Sequence, residues 1–191
     1  DINYYYVPTP FTELFARTAF EQGQLLDAFI TSNLSPQFNF SIAYKGLRSL
    51  GKYQHILTST GNFRFTSNYK TKNNRYKARG HVTMQDLLNQ ENGGLQDGSV
   101  ENFESGDPEF IERSFLEVNF QDAESLLEGK RFHLEHSYEI LNPNDSLVKN
   151  TLNVAHTISY SDKQFSYSQD QAQTAFFGDS FNSTNLLDRT D

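Results

Sequence analysis

The stretch YKARGHVTMQD, Tyr76 to Asp86, sets Tyr76, Ala78, Gly80, Val82 and Met84 on one parity. Lys77, Arg79, His81, Thr83 and Gln85 take the other. Side chains alternate between the faces of a strand, so the pattern predicts a strand with one apolar or small face and one polar face. The two preceding segments repeat it. Phe38, Phe40, Ile42 and Tyr44 alternate with Asn39, Ser41, Ala43 and Lys45, and Leu57, Gly61, Phe63, Phe65 and Tyr69 oppose Asn62, Arg64, Thr66, Asn68 and Lys70. Two architectures satisfy this periodicity: a soluble antiparallel sandwich or barrel with the apolar face inward, and a transmembrane β-barrel with the apolar face toward lipid. Periodicity alone does not choose between them.

Composition leans toward the second. The 191 residues are 36% hydrophobic, yet include 17 Phe and 10 Tyr and no Trp. A membrane barrel needs only a thin apolar band with aromatic girdles, whereas a soluble core of this size calls for more aliphatic residues. The absence of cysteine excludes disulfides, zinc–thiolate sites and cysteine nucleophiles. No run approaches the ~18 apolar residues of a helical span, so a membrane crossing would be made by strands. Residues 1–10 lack the basic start and apolar block of a secretory signal, which predicts a signal removed or lying upstream.

The net charge of −8 conceals a segregation. Between Gln37 and Leu87, nine Lys and Arg (45, 48, 52, 64, 70, 72, 75, 77 and 79) face one acid, Asp86. Between Leu88 and Lys130, eleven acids face Arg113 and Lys130. A basic sheet followed by an acidic excursion would set a field across a pore.

Along the chain, residues 1–10 predict an extended lead-in. Strands are expected at Thr12–Glu21 and Gln24–Leu34 around a turn at 21–24, at Gln37–Leu47, at Tyr53–Lys70, and, after the turn Thr71–Arg75, over the opening stretch. Asn89–Glu112 reads as a long acidic loop within about 88–112. Ile111–Phe120 reads as a strand and Asp122–Glu128 as a short helical turn. Further strands are expected at Arg131–Leu141 and from Leu152 to Tyr160, with turns at Asn142–Asp145 and Ser161–Lys163, and at Gln164–Gln169. This gives about nine strands over 11–170 and a polar tail over 171–191. The fold class is all-β, an antiparallel meander forming part of a transmembrane barrel.

Five blocks carry a resemblance: VPTPFTELFARTAFEQGQLLDAF (Val7–Phe29), LSPQFNFSIAYKGLRSLGKYQ (Leu34–Gln54), DLLNQENGGL (Asp86–Leu95), ESGDPEFIERS (Glu104–Ser114) and GKRFHLEHSY (Gly129–Tyr138). The chain resembles the putative-porin family of outer-membrane proteins of Bacteroidetes, up to roughly Tyr167 and fading in the tail. The resemblance implies an outer-membrane location, contact with outer-membrane lipid, passage of small hydrophilic solutes, and a chain that is a piece of a longer barrel.

Orientation follows from that barrel reading. Lumen-facing candidates are Lys45, Arg64, Lys70, Lys77, Arg79, Glu117, Arg131, Glu135 and Glu139. Lipid-facing candidates are Phe38, Phe40, Ile42, Tyr44, Phe63, Phe65, Val82, Leu134, Tyr138, Val154 and Ile158. No catalytic, metal or cofactor site is predicted. Gly178-Asp179-Ser180-Phe181 is similar to a lipase nucleophile block, but no histidine follows Ser180. His133 and His136 have opposite parity, while His136 and His156 share the apolar face. The acids at 97, 101, 104, 107 and 109 lack a calcium-loop spacing. Nucleic acid is disfavoured, because Phe and Tyr lie opposite the Lys and Arg, so stacking and phosphate contacts would not share a surface. The leading expectation is a porin. The others are a non-conducting barrel subunit or scaffold in a larger outer-membrane complex, with other outer-membrane proteins as partners, and a soluble lipocalin-like binder.

Overall fold

The computed structural model describes residues 2–19, 23–141, 150–171, 173–177 and 187–190. Seven long strands and a short eighth form one antiparallel sheet in strict chain order: β1 (Phe11–Ala19), β2 (Gly23–Ser35), β3 (Phe38–Ser49), β4 (Thr58–Lys70), β5 (Tyr76–Glu91), β6 (Ala123–Leu141), β7 (Leu152–Gln169) and β8 (Leu187–Thr190). This is the expected all-β meander. β1 and β8 are the two edges and do not pair with each other, so the sheet is open. Among the described residues no helix is long and apolar enough to cross a membrane, which says nothing of crossing by strands.

The register carries the alternation across the sheet. Ser41 pairs with Thr66, Thr66 with His81, His81 with His133 and His133 with Ser159. On the opposite parity Ile42 pairs with Phe65, Phe65 with Val82, Val82 with Phe132 and Leu134 with Ile158. β5, β6 and β7 hold 16, 19 and 18 residues, roughly 50–60 Å at strand rise, well beyond the ~9–11 residues of a membrane-crossing strand.

The connections differ at the two ends. At one end, Ser35 Oγ accepts from the backbone N–H of Gln37 and of Phe38 at the tight β2–β3 turn. There too Asn73 Oδ1 accepts from Arg75 N–H in the β4–β5 turn. At the other end, residues 50–57 and 92–122 fold over the strand ends. The latter segment contains α1 (Asp97–Ser105) and two 3-10 turns, Pro108–Phe110 and Arg113–Phe115.

Several expectations change here. Ile111–Phe120 is not a strand: it holds a 3-10 turn and an extended stretch whose only ladder contact is the bridge Leu95–Val118. Asp122–Glu128 is not helical, because Ala123–Glu128 pairs with β5 on one side and β7 on the other. Ser161–Lys163 makes no turn, being paired through Arg131, Lys130 and Gly129 inside a continuous β7. Tyr53–Leu57 precedes β4 rather than opening it. The long loop begins only after Glu91, and three of its acids, Asp97, Glu101 and Glu104, lie on α1. The tail contributes α2 (Thr174–Phe177) and β8. The turn residues 21–22 and 142–145 and the block 178–181 lie outside the described residues.

The distribution of buried side chains inverts that of a soluble sandwich. Among the described residues the buried apolar ones are Leu116, Val118, Phe120 and Ala123, all in or beside the cap that residues 50–57 and 92–122 form. On the sheet the buried side chains are polar: Thr31, Asn39, Ser41, Thr66 and His81 among them. Ile42, Tyr44, Phe132, Tyr138, Val154, Ile158 and Tyr160 stand exposed on the other face. Such an apolar expanse on a sheet calls for an apolar surrounding.

Candidate functional site

The polar face carries the site. Asn39, Ser41 and Lys45 of β3, Arg64, Thr66 and Lys70 of β4, Lys77, Arg79, His81 and Thr83 of β5, and Arg131, His133, Glu135 and Glu139 of β6 share it by register and alternation. Eight of the nine proposed lumen residues therefore sit on one face. Glu117 does not. It lies in the cap, on no strand, where its backbone N–H donates to Ser99 Oγ at 2.8 Å and its side chain is exposed. The eleven proposed lipid-facing residues share the opposite face.

The cations of this face fall into two groups. Lys45 Nζ lies 3.4 Å from Asp27, and Arg79 donates through Nε and Nη2 to Glu135 Oε2 at 2.9 and 2.8 Å. Arg64, Lys70, Lys77 and Arg131 pair with no carboxylate among the described residues, and Lys70 sits over the Tyr6 ring instead. Ser41 and Thr66 join hydroxyls across the strands at the floor. Asn39 bridges Thr31 and Asn33, donating to them at 3.2 and 2.7 Å. These bonds let small polar residues occupy a buried floor that would otherwise be costly to desolvate.

The N-terminal lead-in runs across this face, which its sequence alone did not reveal. Val7 N–H donates to Asn33 Oδ1 at 3.4 Å, and the Tyr5 ring packs on Phe29 with centroids 4.9 Å apart. Tyr6 lies under Lys70 Nζ at 4.7 Å, and the Tyr4 hydroxyl is 2.7 Å from His81 Nδ1. Burial raises the Tyr4 phenol pKa, partly offset by the charge of Arg79, so the hydroxyl keeps its proton. His81 in turn stacks on His133, with centroids 5.0 Å apart and 22° between planes. The available clue was composition: three successive tyrosines are unusual in a solvated leader.

Between the lead-in and β4–β7 lies a cavity of about 470 Å³. Ile2 closes one side, and Arg64, His81, Thr83 and Arg131 form much of its wall. On the apolar face, His136 Nε2 and His156 Nδ1 approach to 3.2 Å, and Tyr76 meets the His136 ring edge-on. That places both histidines beside an aromatic row at the short-turn end. Among the described residues no group of three His, Asp or Glu is placed to hold a metal ion.

A family model described as a putative porin matches residues 1–191. The chain belongs to the putative porin family. The match includes residues 171–191, so family membership extends through the tail where the resemblance faded. A putative porin is expected to be an outer-membrane β-barrel, and the meander with its exposed apolar face is the corresponding architecture. No curated protein and no solved structure matches the chain.

Proposed function

We propose that this chain forms part of an outer-membrane barrel through which small hydrophilic solutes diffuse passively, with no catalytic step. One observation carries the reading: the side chains buried on the sheet are polar, the same face carries the cations, and the opposite, apolar face is exposed. Lipid would cover the apolar face, and solutes would pass along the polar one, biased by its charge.

Planar-bilayer recording of the full-length protein tests this. Steady ohmic steps are expected, and Arg79→Glu should shift the reversal potential in a salt gradient toward cation preference. The substitution places a second carboxylate beside Glu135, where Arg79 now neutralises it. An unchanged reversal potential would remove Arg79 from the conduction path.

The interlocked cap at one end favours a second reading, a non-conducting subunit or scaffold that docks other outer-membrane proteins. Stable insertion without current, together with co-purification of defined envelope partners, would establish that reading in place of the first.

A further inference from the structure

We infer that the cavity beneath the lead-in is a binding site for a small oxyanion, a phosphate- or carboxylate-bearing solute, held by Arg64 and Arg131. This deepens the proposed passage of solutes by naming the class retained at one point on the path.

Three observations converge. First, the cavity of about 470 Å³ suits a small polar solute. Its border carries three cationic side chains of the polar face, Arg64, Arg131 and Lys163, and touches Lys130 and one carboxylate, Asp162. By strand alternation, Lys130 and Asp162 start from the opposite face, so the carboxylate does not stand between the two arginines.

Second, the arginines are uncommitted. Elsewhere on this face Lys45 and Arg79 have carboxylate partners within 4 Å. Arg64 Nε, by contrast, is enclosed with no hydrogen-bond partner. A guanidinium offers a planar fork of donors that matches two oxygens of one phosphate or carboxylate. A cation beside a partly dry floor gains more from an anion than one in open water.

Third, neutral donors surround the same spot. Thr83 pairs in register with Arg131, and Arg131 with Ser161, so two hydroxyl residues flank the Arg131 position on its own face and line the same cavity. His81 is 95% buried at the cavity wall, and its Nε2 has no partner. Two guanidiniums without a carboxylate, beside these hydroxyls in a water-accessible cavity that Ile2 borders on one side, select for an acceptor-rich ligand.

The test is titration of the full-length protein in detergent with inorganic phosphate at constant ionic strength, read by calorimetry. Saturable binding is expected. Arg131→Gln should weaken it about ten-fold or more, the scale of losing a charge-assisted bidentate contact. Arg131→Lys, which keeps the charge and loses the fork, should weaken it less. Lys45→Gln, outside the cavity, should leave it unchanged. A retained far-UV strand signal shows that each variant is folded. Acetate as a second titrant distinguishes carboxylate from phosphate preference, and either supports the site. The inference is overturned by a wild-type protein without saturable binding, by equal affinity in Arg131→Gln, or by chloride competing as well as phosphate. Binding without current would support the site and overturn passage; current without binding would do the reverse.

Discussion

Val82→Arg should prevent the protein from assembling in a membrane, whereas Thr83→Arg, one residue away, should leave assembly nearly intact. Val82 pairs with Phe65 on one side and Phe132 on the other, in the middle of the apolar face. If lipid covers that face, an arginine there costs about 2–4 kcal/mol near the bilayer midplane, enough to shift a marginal assembly equilibrium ten-fold or more. Thr83 points into the cavity beside Arg131, where a long cationic side chain has water and room. Thr66 looks like an equivalent control by parity, but it is not. It is 1% exposed and bonded to Ser41, so an arginine there would force the floor apart whichever side lipid covers. Phe65→Arg is the independent repeat on the apolar side. The measurement is the fraction of protein that resists extraction from membranes and migrates as a heat-modifiable species. Equal tolerance of Val82→Arg and Thr83→Arg would sink the assignment of the apolar face to lipid.

The same pair shows what was legible in the sequence. In β3, β4 and β5 parity set the quoted polar and apolar side chains on opposite faces, because each strand is flanked by two others and a one-residue slip would turn every side chain over; toward the capped ends Leu47 and Leu87 fall on the polar parity and Arg48 on the apolar one. Local composition misled where tertiary pairing decides. DAESLLE reads as a helical turn, yet Leu126 and Leu127 fill ladder positions between Leu88 and Leu87 of β5 and Ser166 and Phe165 of β7. Ser161-Asp162-Lys163 has turn chemistry and no turn, because β6 runs past it unbroken. Leu116, Val118 and Phe120 have a true period of two, and they do alternate inward. What periodicity could not supply was the partner, which is a cap of loops and one bridge rather than a neighbouring strand. The site divides likewise. Its cations were legible one by one, but their sorting into paired and unpaired side chains depends on register and on Asp27, which holds Lys45, and Glu135, which holds Arg79. The lead-in over His81 is a contact across 77 residues that no local pattern announces.

Leu116→Ala should open the cap without dissolving the sheet, and this is the second large effect expected. Leu116, at 0% exposure, and Val118, at 1%, are the largest fully buried apolar side chains among the described residues, and neither lies on a strand. Truncating a fully buried leucine costs about 2–5 kcal/mol in transfer and cavity terms, and here the cost falls on a small unit. That unit is held by a short set of bonds. Gln54 Nε2 donates to Ser114 O at 2.8 Å and Gln96 Nε2 to Val118 O at 3.0 Å, while Asn119 Nδ2 donates to Gly93 O at 2.9 Å. Phe120 adds an edge-on contact with Phe176. This unit adds no strand to the eight-stranded sheet, so it can open locally at a free energy below that of the whole fold, and most of the loss should appear as opening of residues 92–122. Limited proteolysis should cut within that segment many times faster in Leu116→Ala, while membrane extraction resistance stays at the wild-type level. Gly93→Ala approaches the same unit from its other side: a Cβ there would lie 2.7 Å from the Phe120 ring, on a backbone with φ of +65°. It should give the same cleavage pattern without touching Leu116. If either substitution abolished strand assembly together with the cap, the loops would be part of the barrel's folding nucleus, and the division between a self-supporting sheet and a separately packed cap would fail.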